Sequence, residues 1–534
     1  MKPLSYRTLA TAAGLALVLS ACSSGGASPS ADGGGAPLSD GTFRYALSAD
    51  PGALNPIMSA SAATAEISRL TYDYLIYQDP VTSEIGKWLA EKWEETPTTA
   101  SFTIREGVTC TDGSTLTPQT VADNINFVAD PDNGSQLRGT SVPVGASATA
   151  DPATRTVIVT TPAPSPFLLL NVGRLPIMCD AGLRDPAAAN TKSFGTGMFE
   201  LAEVLPSDHF TFERRAGYNW GPDSTTSDTP GVPKTVIAAL VPNVSTAANQ
   251  LLSGELNASP IGGPDKDRVD AANFASVKRP MPAGQMYFNQ IADNPTSDPA
   301  VRKALVQALN FDDLAQVITA GQGTRATSLT AVEPRACVYD SVAGNIPDFD
   351  LTAAKSTLDS AGWTASSDGK RSKDGESLNL RLFYGGGDEP RNAAAELARA
   401  AWVDLGANVE VSSGDQNKVV DVMLSGKDNN QWDIAWIQIN TSLPSAFTPF
   451  FTGPAPAAGK NFSSIDNPSY EAAATKASGL TGEEACSAWA EAESEITKTT
   501  SAVPFANSDM NVYFNKAGLA FGTLFIGSAL RLYQ

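Results

Sequence analysis

The stretch LNLRLFYGGGDEPRNAAAELARAAWVDLGANVEV, Leu378 to Val411, reads as three elements in series. A strand covers Leu378 to Phe383, a helix covers Arg391 to Leu405 with Gly406 directly after it, and a second strand covers Asn408 to Val411. Glycine ends a helix readily because it takes a left-handed backbone without the penalty a Cβ would bring. The rhythm continues with a helix over Asn417 to Leu424 and a strand over Asp433 to Ile439. Strands that alternate with helices predict an α/β architecture, a mainly parallel sheet covered on both faces. Upstream, Asp298-Pro299 starts a helix whose Val301, Leu305, Ala308 and Leu309 share a face: the aspartate accepts from free first-turn amides and the proline sacrifices no useful donor. Asp350 caps another helix through Ala354 and Leu358, and Gly362 ends it.

Before residue 290 the pattern is richer in strands. Phe43 to Leu47 alternates as a short strand, runs into the turn-rich SADPGALNP, and is followed by an apolar-periodic helix through Ile67, Leu70 and Leu75. Strand signals recur in SFTIREG and in TVIVTTPAPSPF, and GTGMFELAEVLPSDHFTFER predicts a hairpin turning at Pro206 to Asp208. The final VPFANSDMNVYFNKAGLAFG returns to strand and loop character, as if the chain came back to its first region. At 534 residues the chain is too long for one core, so two or more lobes are expected. A hydrophobic content of 42% is that of an ordinary globular protein, and a net charge of -20 argues against a nucleic-acid partner, whose phosphates need a basic surface.

The N-terminus carries an address. Lys2 and Arg7 precede an apolar run from Leu9 to Leu19 that is too short to span a bilayer as a helix, which makes it a signal sequence. Leu19-Ser20-Ala21-Cys22 resembles the bacterial lipobox, in which the cysteine is lipidated and becomes the mature N-terminus. The expectation is a signal peptide over 1–21 and, over 22–38, a lipidated Cys22 with a flexible Gly/Ser tether, so that the body lies outside the cytoplasm, anchored to the cell membrane. The four other cysteines suggest two disulfides in an exported protein. Three pairings can be drawn; Cys110 and Cys179 fall in the first region and Cys337 and Cys486 in the second, which favours 110 with 179 and 337 with 486.

Catalytic parts are sought and not found. The single histidine, His209, sits in the polar hairpin and reads as a solvated side chain. HExxH, CxxC, GxSxG and GxxxxGK are absent, and no metal or cofactor site is indicated. Ser367 and Lys370 fit SxxK, but in a polar tract with two Asp-Gly turns and without the accompanying SDN or KTG. Glu94/Glu95 and Asp312/Asp313 are adjacent pairs, which point apart on a helix. No catalytic residue is assigned and the chain is not expected to be an enzyme.

Read in order, DPGALNP (Asp50 to Pro56), LAEKWEE (Leu89 to Glu95), FTIREGVTCTDGSTLTPQTV (Phe102 to Val121), GTGMFEL (Gly195 to Leu201), RRAGYNW (Arg214 to Trp220), VRKALVQALNFDDL (Val301 to Leu314) and LDSAGW (Leu358 to Trp363) resemble the extracytoplasmic solute-binding proteins of ABC importers, peptide and nickel type. The resemblance implies a two-lobed periplasmic-binding-protein-like fold whose lobes close on a ligand through two hinge crossovers, AGQMYFNQ (Ala283 to Gln290) and VPFANSDMNVYF (Val503 to Phe514). It divides the chain into a first lobe over 39–283, a second over 284–504 and a return to the first over 505–534. By the same resemblance the ligand meets Asp50, Pro51 and Gly52 before LNP, and Trp436, Gln438 and Asn440 in DIAWIQINTSLPSAF. Peptide-binding members often place an acidic residue near the position of Asn440; an amide there can hydrogen-bond an ammonium but cannot neutralise it. The implied function is capture of a short peptide or similar polar solute by a monomer that hands it to an ABC permease. The alternative is a surface scaffold or regulatory protein that keeps the fold without transport.

Overall fold

The structure, a computed structural model, describes residues 35–80, 82–386, 388–425, 430–521 and 526–534. Cys22 and the expected signal peptide lie outside the described residues.

The stretch Leu378 to Val411 folds as a strand, Asn379–Gly385, a helix, Glu389–Asp404, and a strand, Asn408–Gly414. Asp388 starts the helix by accepting from Arg391 N, and Gly406, at φ +98°, follows its end. The two strands pair in parallel with Leu380 opposite Val409, and Ile434–Trp436 joins in parallel on the other side. One face of this sheet packs Leu305, Phe311 and Trp402; the other packs Phe447, Phe462, Tyr470 and Trp489. Two-sided cover explains why these strands carry apolar residues on both faces.

The same sheet runs on into the first lobe without a break. Across it the order is 408–414, 379–385, 434–436, then the long strands Ala275–Phe288 and Ala502–Phe514, then 258–261, 42–47, 235–240, 209–214 and 199–205. The two long strands are antiparallel neighbours, Ala275 opposite Phe514 and Tyr287 opposite Ala502, so both crossovers between lobes form one ribbon. Its ends are buried, Met286 and Val503 in the second core and Val512 and Phe514 in the first, while Lys278 to Met281 and Asn507 to Met510 between them belong to neither. Pro280 and Pro282 remove ladder donors in that middle section, and the register slips on either side of Gly284. Gly284 is required by crowding: a Cβ there would overlap the Phe505 ring.

In the first lobe a four-stranded antiparallel sheet (90–96, 99–104, 156–160, 147–151) packs on the helix Pro118–Ala129, and Phe199–Leu205 pairs with His209–Arg214 as the predicted hairpin. Disulfides join Cys110 to Cys179 and Cys337 to Cys486. Two elements are shorter than their apolar pattern predicts. The helix read through Leu75 is Ala62–Ser68, because Thr71 O and Asp73 O accept from Gly197 N and Ile177 N and so draw the backbone out of the helix. The strand read over Asp433 to Ile439 is Ile434–Trp436, because the Gln285 side chain takes Ile439 N at 2.8 Å. Pro37 and Leu38, at the end of the expected tether, are fastened to Tyr533 and Leu532.

Candidate functional site

Away from the ribbon, the lobes meet at a few side chains. Gln78 Nε2 of the first lobe donates to Arg335 O of the second at 3.3 Å, and Phe167 stacks on Trp489 with ring centroids 6.3 Å apart. Beside the first contact lies a cavity of ≈ 270 Å³. Arg69, Tyr74, Tyr77, Gln78, Trp88 and Arg174 line it from the first lobe, and Pro334 closes it from the second.

The walls are fixed from behind. Asp73, fully buried, accepts from Trp220 Nε1 at 2.8 Å, Thr196 Oγ1 at 3.0 Å and Tyr218 OH at 3.3 Å, and burial pushes its carboxyl up to about 6 against these donors. Tyr218 OH also accepts from Trp88 Nε1 at 3.4 Å, which sets the plane of that indole, and Trp88 in turn packs at a tilt on Tyr74 with centroids 5.4 Å apart. Tyr77 meets Phe521 edge to face at 5.6 Å. On the far side, the loop bearing Pro334 is held by Glu493, which accepts from Ser341 Oγ at 2.6 Å, Leu329 N at 2.7 Å and Tyr339 OH at 2.8 Å, and by the disulfide from Cys337 to the helix Gly482–Lys498. Rigid walls of aromatic rings with a few polar groups are the ordinary make-up of a small-molecule site.

Charge is concentrated on one side of the cavity. Arg174 donates from Nε to Leu170 O at 3.2 Å and from Nη1 to Gln78 Oε1 at 3.3 Å, and burial together with the nearby Arg69 pushes its pKa down to about 10. Glu66, one turn before Arg69, is pushed up to about 7 by burial, against the pull of Arg279 and Arg69. Gln78 therefore joins the guanidinium of the cavity to the backbone of the opposite lobe through one amide.

A second cavity, of ≈ 300 Å³, lies in the second lobe beyond the carboxyl ends of the parallel strands, between Gly385, Met423, Ile437, Gln438, Phe450 and Phe462. Crevices at that end of parallel strands are common ligand positions in α/β folds.

The six ligand residues proposed from the sequence do not share one surface. Asp50 is exposed and its carboxylate accepts from Gly52 N at 2.8 Å; Pro51 is buried and Gly52 takes φ +68°. That loop abuts the first cavity through Thr64, whose Oγ1 donates to Ala53 O at 2.8 Å and lies 3.2 Å from Ser59 Oγ on the wall. Trp436 is 1% exposed and packs on Phe505 in the second core, with no hydrogen-bond partner for its indole N–H among the described residues. Gln438 lines the second cavity and donates to Ala283 O at 3.0 Å; Asn440 is exposed. Cys22 falls outside the described residues. Arg69, Gln78 and Arg174 were not singled out in the sequence. Arg174 left a signal there, one arginine within the apolar run Leu168 to Met178, where an unpaired cation is out of place. Among the described residues no group of three or more His, Cys, Asp or Glu side chains gathers to hold a metal, and no helix is long and apolar enough to cross a membrane.

Known proteins resemble this chain over most of its length. Residues 84–459 match the family described as bacterial extracellular solute-binding proteins, family 5 middle. Protein XP55 of Streptomyces lividans is 30% identical over 336 residues, 59% of this chain, and the match spans only 57% of that protein's length. The dipeptide-binding protein of Escherichia coli is 24% identical over 461 residues, 79% of this chain and 81% of that one. The solved structure of a substrate binding protein from Microbacterium hydrocarbonoxydans, complexed with 4-hydroxybenzoate hydrazide, is 25% identical with a TM-score of 0.66, covering 92% of this chain and 99% of that one. Two lobes on one ribbon, a cavity between them and a family match over well more than half of the sequence agree: this chain belongs to the bacterial extracellular solute-binding proteins of family 5.

Proposed function

We propose that this protein captures a short peptide or a similarly sized polar solute outside the cytoplasmic membrane and delivers it, unchanged, to the permease of an ABC importer by closing its lobes. The observation that carries this reading is the cavity lined by the first lobe and closed by Pro334 of the second, between bodies that otherwise share a two-stranded ribbon. A solute that touches both lobes favours the closed form, and only such differential affinity shifts a two-state equilibrium. The lobes are assigned to 39–283 and 284–504, with 505–534 returning to the first. Asp50, Pro51 and Gly52 are assigned to the rim on one side and Gln438 and Asn440 to the other, for a solute longer than the cavity, with Trp436 backing the latter. Cys22 is assigned as the lipidated anchor, and the protein as a monomer.

The test is small-angle scattering of the solute-free protein with and without a library of di- to pentapeptides. The expected result is compaction with at least one peptide pool; an unchanged radius with every pool, and no heat of binding by calorimetry, would overturn capture and leave the scaffold reading. Anchoring has its own test. Cys22→Ser should move the protein from the membrane to the soluble fraction, and retention in the membrane would overturn the lipid.

A further inference from the structure

Phe167 stands in the left-handed region, at φ +57° and ψ +35°. A bulky residue is strained there and stays only where its surroundings leave the backbone no alternative. The bonds around it lie within the first lobe: Ser165 N donates to Pro97 O at 2.8 Å, Pro166 O accepts from Asn171 Nδ2 at 3.2 Å, Phe167 O accepts from Asn171 N at 2.9 Å, and Leu169 N donates to Glu95 Oε1 at 2.9 Å. Parting the lobes breaks none of them. The ring so held packs on the first core and also on the core of the second lobe that contains Phe447, Phe462 and Trp489, where it stacks on Trp489 at an interplanar angle of 30°. Trp489, 2% exposed, shares a face of the helix Gly482–Lys498 with Cys486, three residues before it, and Glu493, four after. Those two neighbours hold the loop that carries Pro334, so the ring that Phe167 meets and the loop that closes the cavity move as one body. Ala336 of that loop and Leu443, whose neighbour Ser442 accepts from Ala336 N at 2.9 Å, pack on the first core from the other side. Among the described residues that line the cavity, neither Phe167 nor Trp489 is found.

We propose that Phe167 is a closure clasp: a ring held ready by the first lobe, seated on Trp489 when the lobes close, that favours the closed form with or without solute and so sets affinity without setting specificity. This rests on the lobe closure of the capture reading and adds the residue that biases it. The backbone strain is held by first-lobe bonds, so it is present in both forms and cancels between them, whereas the ring is covered by Trp489 only in the closed one. A ring that is already oriented loses little freedom when it docks.

The experiment is small-angle scattering of the full mature chain, freed of bound solute by unfolding and refolding with its disulfides intact, for the wild type, Phe167→Ala and Phe167→Gly. Both variants should lower the closed-to-open ratio about five-fold and show the same larger radius of gyration. Glycine takes the left-handed backbone without strain, so Phe167→Gly should have a higher denaturant midpoint than Phe167→Ala; a role in stability alone would let the radius recover with it. For peptides that compact the wild type, calorimetry should show affinity falling by the same factor for each. If neither variant folds, Phe167→Leu, which keeps an apolar side chain on the first core, should still show the larger radius. Radii equal to that of the wild type overturn the clasp, as does a radius that recovers in Phe167→Gly, which would trace the effect to the backbone. Affinity losses that differ from peptide to peptide overturn it too, by making Phe167 a solute contact. If no peptide binds, the capture reading falls, and the solute-free radii still decide the clasp.

Discussion

Glu66 and Glu493 are both carboxylates withdrawn from water, and their partners give them different work. Glu66 faces Arg69 at the end of its own helix, Arg279 on the long strand and the Tyr45 phenol on the strand 42–47. With its carboxyl pushed up to about 7, it is largely neutral at pH 6 and largely charged at pH 8. That sets the sign of its contribution to stability: a carboxyl whose folded value lies above the ordinary 4.5 favours the fold most below 4.5, and that contribution is lost as pH rises through about 7, so Glu66→Gln should flatten the fall in denaturant midpoint between pH 6 and pH 8. Glu493, 4% exposed, instead satisfies three donors of the loop that carries Pro334. Glu493→Ala would strand Leu329 N and two hydroxyls, at a cost of about 2–4 kcal/mol read as a lower denaturant midpoint, with Glu493→Gln milder because one acceptor oxygen remains. The typing of such groups was legible in the sequence only as oddity: an arginine in the run LLLNVGRLPIM or a glutamate in a helix face beside Trp489 announces a constraint without saying what meets it.

At the scale of elements, the ribbon of two long strands sets what can move. Prolines at 280, 282 and 504 thin its ladder, and its middle section lies outside both cores, so bending there leaves either core intact. Gly284 marks the point where the ribbon enters the second core against Phe505. Gly284→Ala should destabilise the protein by about 1–3 kcal/mol through overpacking, measured as a shift in denaturant midpoint without a change in its slope. The sequence displayed helix starts well, since Asp298 and Asp350 do cap their helices by accepting from Ala300 N and Ala353 N. It displayed some element ends poorly. Ser68 and Trp436 end their elements because backbone groups beyond them are claimed by Gly197, Ile177 and Gln285, residues distant along the chain, and no local pattern records that competition.

At the scale of the whole molecule, side chains that bridge the lobes away from the ribbon weigh on the balance between open and closed. Gln78 accepts from Arg174 with its carbonyl and donates to Arg335 O with its amide, so one side chain ties the cavity wall to the opposite lobe. Gln78→Ala removes a bond of about 1 kcal/mol, which should shift the closed-to-open ratio about five-fold and appear as a larger radius of gyration in solute-free scattering. The sequence by itself determined the class of fold: alternation of strand and helix, capping residues and ordered family blocks are local quantities, written in neighbouring positions and read without knowing the rest of the chain. The tertiary structure alone decided which side chains share the space between the lobes. Arg69, Gln78, Arg174 and Pro334 are brought together across as many as 265 positions by packing and by register in the central ribbon, whereas Trp436, promising by position, is drawn into a core by the burial of its own strand. A binding surface is set by distances in space, and those depend on every core at once.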